Sequence, residues 1–123
     1  MPFDWRGYLE LARFLQAQAG SAANHEAFLR SALSRAYYAA FCHARNHARD
    51  HLGLRLRGEA DDHGALRARF KTGKMKGISD KLQRLREWRN ACDYHDLLTF
   101  DLQSNVISGL SMANSVFDAL PPP

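Results

Sequence analysis

The segment from about Asn24 to Leu52 constrains this chain most. It carries Phe28, Leu29, Leu33, Ala36, Tyr37, Ala40, Phe41, Ala44 and Ala48 at helical spacing and meets a helix stop at Gly53. Between Ala36 and Ala44 it is apolar nearly all round. A helix without a solvent face must be wrapped by neighbours, so the pattern predicts a bundle with this helix at its centre.

The remaining segments can supply those neighbours. Strand signals are nearly absent, because no stretch alternates apolar and polar residues with β-branched enrichment. A first helix is predicted from about Asp4 to Ala19, with Trp5, Tyr8, Leu11, Ala12 and Leu15 at helical spacing and Gly20 as its stop. Residues 53–77 hold five of the eight glycines and read as a loop with a short helix near 61–71. Ser79 or Asp80 can cap a fourth helix that carries Ile78, Leu82, Leu85, Trp88 and Cys92 and ends near His95. A fifth runs from about Thr99 to Leu120, where the prolines begin.

The expected fold class is therefore all-α, an antiparallel bundle of four to five helices, with 1–120 as one domain and 121–123 as a proline tail. The fifth helix has no charged residue from Leu102 to Phe117. Its Ser104, Ser108, Ser111 and Ser115 fall on one stripe, which predicts close approach by another helix. Cover on more than one side is expected, either within the bundle or from a second subunit.

Composition narrows the function classes. The 123 residues suit one domain, and the longest apolar run, Ala36 to Cys42, is far below the roughly 20 residues needed to span a bilayer. No membrane association is expected. The first residues show no signal or transit pattern, so a cytoplasmic location is expected. Cys42 and Cys92 lack CxxC spacing, which argues against a cysteine-built zinc site and for two buried thiols. His43, His47 and His51 repeat every four residues, but no HExxH pattern accompanies them. They read as a polar flank; no metal or other cofactor is expected.

Charge is uneven along the chain. Residues 1–29 carry a net −1, residues 30–89 a net +9 and residues 90–123 a net −4. The basic part includes Arg67, Arg69, Lys71, Lys74 and Lys76 around a Gly-bounded segment. Such a cluster is either an RNA-binding surface, through counterion release from phosphates, or a solvated face.

The chemistry-bearing segment is Arg86-Glu87-Trp88-Arg89-Asn90-Ala91-Cys92-Asp93-Tyr94-His95-Asp96. At about 100° per residue, Arg89 lies about 40° from Leu85 and points with the apolar stripe. A guanidinium there needs either an internal anion, such as Asp93 one turn later, or a polar cleft. On a straight helix His95 lies about 120° and roughly 9 Å from Arg89, so cooperation between them would use two copies across a two-fold axis.

The helix-two sequence Ser34-Arg35-Ala36-Tyr37-Tyr38-Ala39-Ala40-Phe41-Cys42-His43-Ala44, together with Arg89-Asn90 and His95, resembles the HEPN family, a nucleotide-binding helical domain of prokaryotes and higher eukaryotes. The resemblance covers about residues 24–118. It implies a homodimer whose Arg and His line one cleft, and a metal-independent endoribonuclease serving as toxin or defence effector. By position, Arg89 would stabilise the phosphorane-like transition state, Asn90 would stand beside it and His95 would transfer the protons. A nucleotidyltransferase-type antitoxin is the partner such toxins often have. Five residues separate Arg89 from His95, where the family's toxin motif usually has four. Many relatives carry Arg-Asn-x-x-Asp-Tyr without a catalytic His, so a non-catalytic interaction module that binds a nucleotidyltransferase or other partner is the alternative.

Overall fold

The computed structural model describes residues 2–58, 61–71 and 73–121, the side chain of Lys74 excepted. It is an all-helical bundle. Helix α1 is Arg6–Ala19, α2 His25–His51, α3 Asp62–Arg69, α4 Lys76–Tyr94 and α5 Leu102–Ala119. A 3₁₀ turn, Gly73–Met75, leads into α4.

Helix α2 is the axis, as its all-round apolar stretch predicts. Ala32, Leu33, Ala36, Tyr37, Ala39, Ala40 and Ala44 are buried, and all four other helices pack on it. Cross-helix contacts fix the directions. Early α2 meets late α4 through Ser34 and Asp93, so those two run antiparallel. Leu33 packs at Gly109 and His43 bonds the Leu120 carbonyl, so α2 and α5 run parallel. Arg13 of α1 donates to Asn114 of α5 at 2.8 Å, and Trp5 lies under Arg45, which places α1 antiparallel to α2. Consecutive long helices thus alternate in direction.

The helix ends follow local chemistry. Gly53 closes α2 with φ +69°, a left-handed conformation that a residue with a Cβ adopts only under strain. Helix α4 begins at Lys76, ahead of the expected Ser79 or Asp80, because the 3₁₀ turn delivers the chain already helical and Gly77 is absorbed into the first turn. Ser79 is consequently buried inside the helix and is not its cap.

The close approach on α5 also differs from expectation. It occurs at Gly109, where an added Cβ would collide with Leu33 Cδ1 and lie 3.4 Å from Leu85 Cδ2. Ser104, Ser108 and Ser111 face outward and are exposed. Ile107 on the same outer side is 56% exposed. Among the described residues, no helix is long and apolar enough to cross a membrane.

Candidate functional site

Helix α3 positions one side of the site. Leu66 and Phe70 are fully buried and anchor it, each contributing about 1.5–3 kcal/mol by burial. His63 and Arg67 occupy the same stripe, since 63, 66, 67 and 70 follow the i, i+3, i+4, i+7 pattern of one helix face. A histidine and an arginine are therefore carried inward together. Helix α4 repeats the pattern with Leu82, Leu85, Arg86 and Arg89.

The Arg89 side chain retains only 13% of its exposure, and polar and aromatic groups hold it. Its Nε donates to Asp93 Oδ2 at 2.9 Å and its Nη1 to Asn90 Oδ1 at 2.7 Å. The guanidinium lies 4.9 Å from the Tyr38 ring centre and 5.6 Å from that of Tyr94. From α2, the buried Ser34 donates its hydroxyl to Asp93 Oδ2 at 3.2 Å. The Ser34 to Tyr38 segment and the Arg89 to Tyr94 segment thus form one constellation. The internal anion expected for Arg89 is Asp93.

His95 stands differently. Helix α4 ends at Tyr94, and His95 is extended at φ −100°, ψ 128°, with an exposed side chain. The straight-helix relation to Arg89 ends one residue before it. Its backbone is held by Arg30 of α2, which the sequence reasoning missed. Arg30 Nη1 donates to the carbonyls of Cys92 at 3.0 Å and His95 at 2.5 Å, and Nη2 to that of Asp96 at 3.0 Å. Arginine at a helix C-terminus satisfies the carbonyls left without intrahelical partners and opposes the negative end of the dipole. The imidazole projects from a turn whose backbone is clamped.

Behind Arg89 lies a second group of polar side chains. The Tyr37 hydroxyl hydrogen-bonds His63 Nδ1, and the His63 ring stacks 4.3 Å from Phe41 and 5.6 Å from Tyr37. Burial, followed by the positive charges of Arg86, Arg89 and Arg67, holds the His63 pKa below the ordinary imidazole range. Burial pushes the Tyr37 hydroxyl well above its usual range, so it stays protonated. Arg67 Nη1 and Arg86 Nε are buried without an acceptor among the described residues.

The other sequence-expected basic residues are spread over the surface. Arg69, Lys71 and Lys76 are exposed, and the side chain of Lys74 lies outside the described residues. Arg67 and Lys71 line a groove of about 360 Å³ between α3 and α4, with Ser79, Asp80 and Gln83 on the opposite wall. Both cysteines are free and buried; burial lifts the Cys92 thiol to about 11. On the far side of the bundle His43 stacks on Phe117, and His47 and His51 lie 4.7 Å apart.

No protein-family model, curated protein or solved structure matches the chain.

Proposed function

We propose that this chain is a HEPN-type RNA-binding protein acting as a metal-independent endoribonuclease, a cytoplasmic toxin or defence effector. The observation that carries the reading is the joined constellation of Ser34, Tyr38, Arg89, Asn90 and Asp93 beside the Arg30-clamped turn that presents His95. A guanidinium held in place by two hydrogen bonds and an aromatic ring is preorganised to meet charge that develops on a phosphate. The histidine beside it is exposed on a fixed backbone.

In this reading the RNA 2′-hydroxyl attacks the adjacent phosphorus. One imidazole takes the hydroxyl proton, the bond to the 5′-oxygen breaks, and a second imidazole protonates that oxygen. Arg89 stabilises the extra negative charge at phosphorus, and a 2′,3′-cyclic phosphate remains. Two histidines imply two copies of the chain. Tyr94 and Leu97, 73% and 86% exposed beside His95, and the uncharged outer side of α5 are the surfaces such a homodimer would cover.

The second reading is a non-catalytic HEPN interaction module with a nucleotidyltransferase or another protein as partner. The Arg89–Asp93 pair favours it, because that pair satisfies the guanidinium within one chain. RNA incubated with the protein in EDTA separates the two. Cleavage leaving 2′,3′-cyclic phosphate ends supports the nuclease, and RNA left intact at high protein concentration supports the module.

A further inference from the structure

Two half-buried arginines of this protein are incompletely bonded. Arg67 on α3 and Arg86 on α4 each have a buried guanidinium nitrogen with no acceptor among the described residues. Leaving a charged donor unpaired in the interior is among the costlier arrangements a side chain can adopt. Arg89, by contrast, is bonded through two nitrogens. His63 stands one turn from Arg67 on the inward stripe of α3, and the positive charges of both arginines act on its ring, which Tyr37 holds.

The surroundings are suited to an anion. Arg67 and Lys71 line the 360 Å³ groove between α3 and α4, in which Asp80 supplies the carboxylate. Arg86 lies one turn beyond Gln83, another residue of that groove. Arg67 and Arg86 are half-buried as whole residues, so part of each remains within reach of solvent. Turning either guanidinium toward the groove breaks no hydrogen bond at its unpaired nitrogen.

We propose that Arg67 and Arg86, seated beside the Tyr37–His63 pair, form a phosphate-binding subsite that takes one phosphodiester group of a single-stranded RNA. The identity of the ligand rests on the RNA-binding reading above; the anion site itself does not. Guanidinium donors suit a phosphate because two N–H groups can meet two oxygens at once. The subsite lies on the α3 side of Arg89, where it would hold a nucleotide flanking the one at Arg89 and His95.

The test uses the full chain, a fluorescent single-stranded RNA octamer and, separately, inorganic phosphate. Arg67→Gln and Arg86→Gln should each weaken octamer binding about tenfold, whereas Arg84→Gln, an exposed position on α4, should change it less than about threefold. Arg86→Lys, which keeps the charge and loses the fork, should fall between. None of these variants should lower the melting temperature, because no hydrogen bond is lost at the unpaired nitrogens. Inorganic phosphate should shift the His63 ring signals in NMR spectra of the unmodified protein and leave them unmoved in Arg67→Gln.

Phosphate binding at His63 without octamer binding would uphold the anion site, point to a free phosphate as its ligand and refute the RNA reading. Octamer binding that is unchanged in Arg67→Gln and Arg86→Gln would overturn the subsite while leaving the RNA reading standing. A large loss of melting temperature in both Gln variants would also overturn it, by showing that the two arginines hold the fold.

Discussion

Asp93 Oδ2 receives both the Ser34 hydroxyl at 3.2 Å and Arg89 Nε at 2.9 Å, so one carboxylate oxygen ties the central helix to the arginine of the candidate site. Removing that oxygen leaves the largely covered guanidinium without its countercharge. Asp93→Ala should cost about 1–3 kcal/mol, and Ser34→Ala less than about 1 kcal/mol. Denaturant unfolding measures both. A double-mutant cycle with Arg89→Ala should show coupling between 89 and 93.

Arg30 is the second structural tie, and its role is separable from its ion pair. Its partner Glu26 is 67% exposed, so Glu26→Ala should alter stability by less than about 0.5 kcal/mol. Arg30→Ala removes three charge-assisted bonds to the carbonyls of Cys92, His95 and Asp96 and should cost about 1.5–3 kcal/mol. Hydrogen exchange offers a local check. The His95 amide, bonded to the Ala91 carbonyl at 2.9 Å, should exchange faster in Arg30→Ala.

Much of the fold is legible in the sequence because it is written in short-range patterns. The apolar run from Ala36 to Ala44 points to the central helix, and Gly53 marks its end. Gly77 misleads, because its place in the first turn of α4 depends on the 3₁₀ turn before it. Arg89 is visible as an inward-pointing cation with Asp93 one turn away. Arg86 and His63 carry the same signal, an ionisable residue on an apolar stripe, and reading every stripe for such interruptions would have found them. Arg30 carries no local signal. Its acceptors lie 62 to 66 residues away, and only the folded chain brings them together.

Three histidines link stability to pH in one direction. Burial is the leading cause that lowers the folded-state pKa values of His43, His47 and His63. The unfolded chain then binds more protons than the folded one below about pH 6.5, so stability is full above that value and declines as pH falls through it. Melting temperatures should therefore drop between pH 7.5 and pH 5.5, where carboxylates remain largely ionised. His63→Gln should flatten that slope; a melting temperature that rises toward pH 5.5 would contradict the assignment.

Two glycines inside helices should respond oppositely to alanine. At Gly109 the new Cβ collides with Leu33 Cδ1, the end of a fully buried side chain that must shift within the core, so Gly109→Ala should destabilise by about 1–3 kcal/mol. At Gly64 nothing lies within 4 Å of the added Cβ. Gly64→Ala should stabilise α3 by about 0.5–1 kcal/mol through helix propensity. Thermal melts of the two variants decide the matter by sign alone.

His95 is exposed on a turn held by Arg30. If it transfers protons during 2′-hydroxyl attack, His95→Ala should slow RNA cleavage by about 10²–10⁴-fold while fold and RNA affinity stay nearly unchanged. Arg89→Ala is a less clean probe, because it also unpairs Asp93. The decisive measurement is the single-turnover cleavage rate of the unmodified protein and His95→Ala on one RNA substrate in EDTA. A hundredfold or greater loss is expected, with 2′,3′-cyclic phosphate ends from the unmodified protein; equal rates, or no cleavage by either, would rule out His95 as the proton-transfer group of a nuclease.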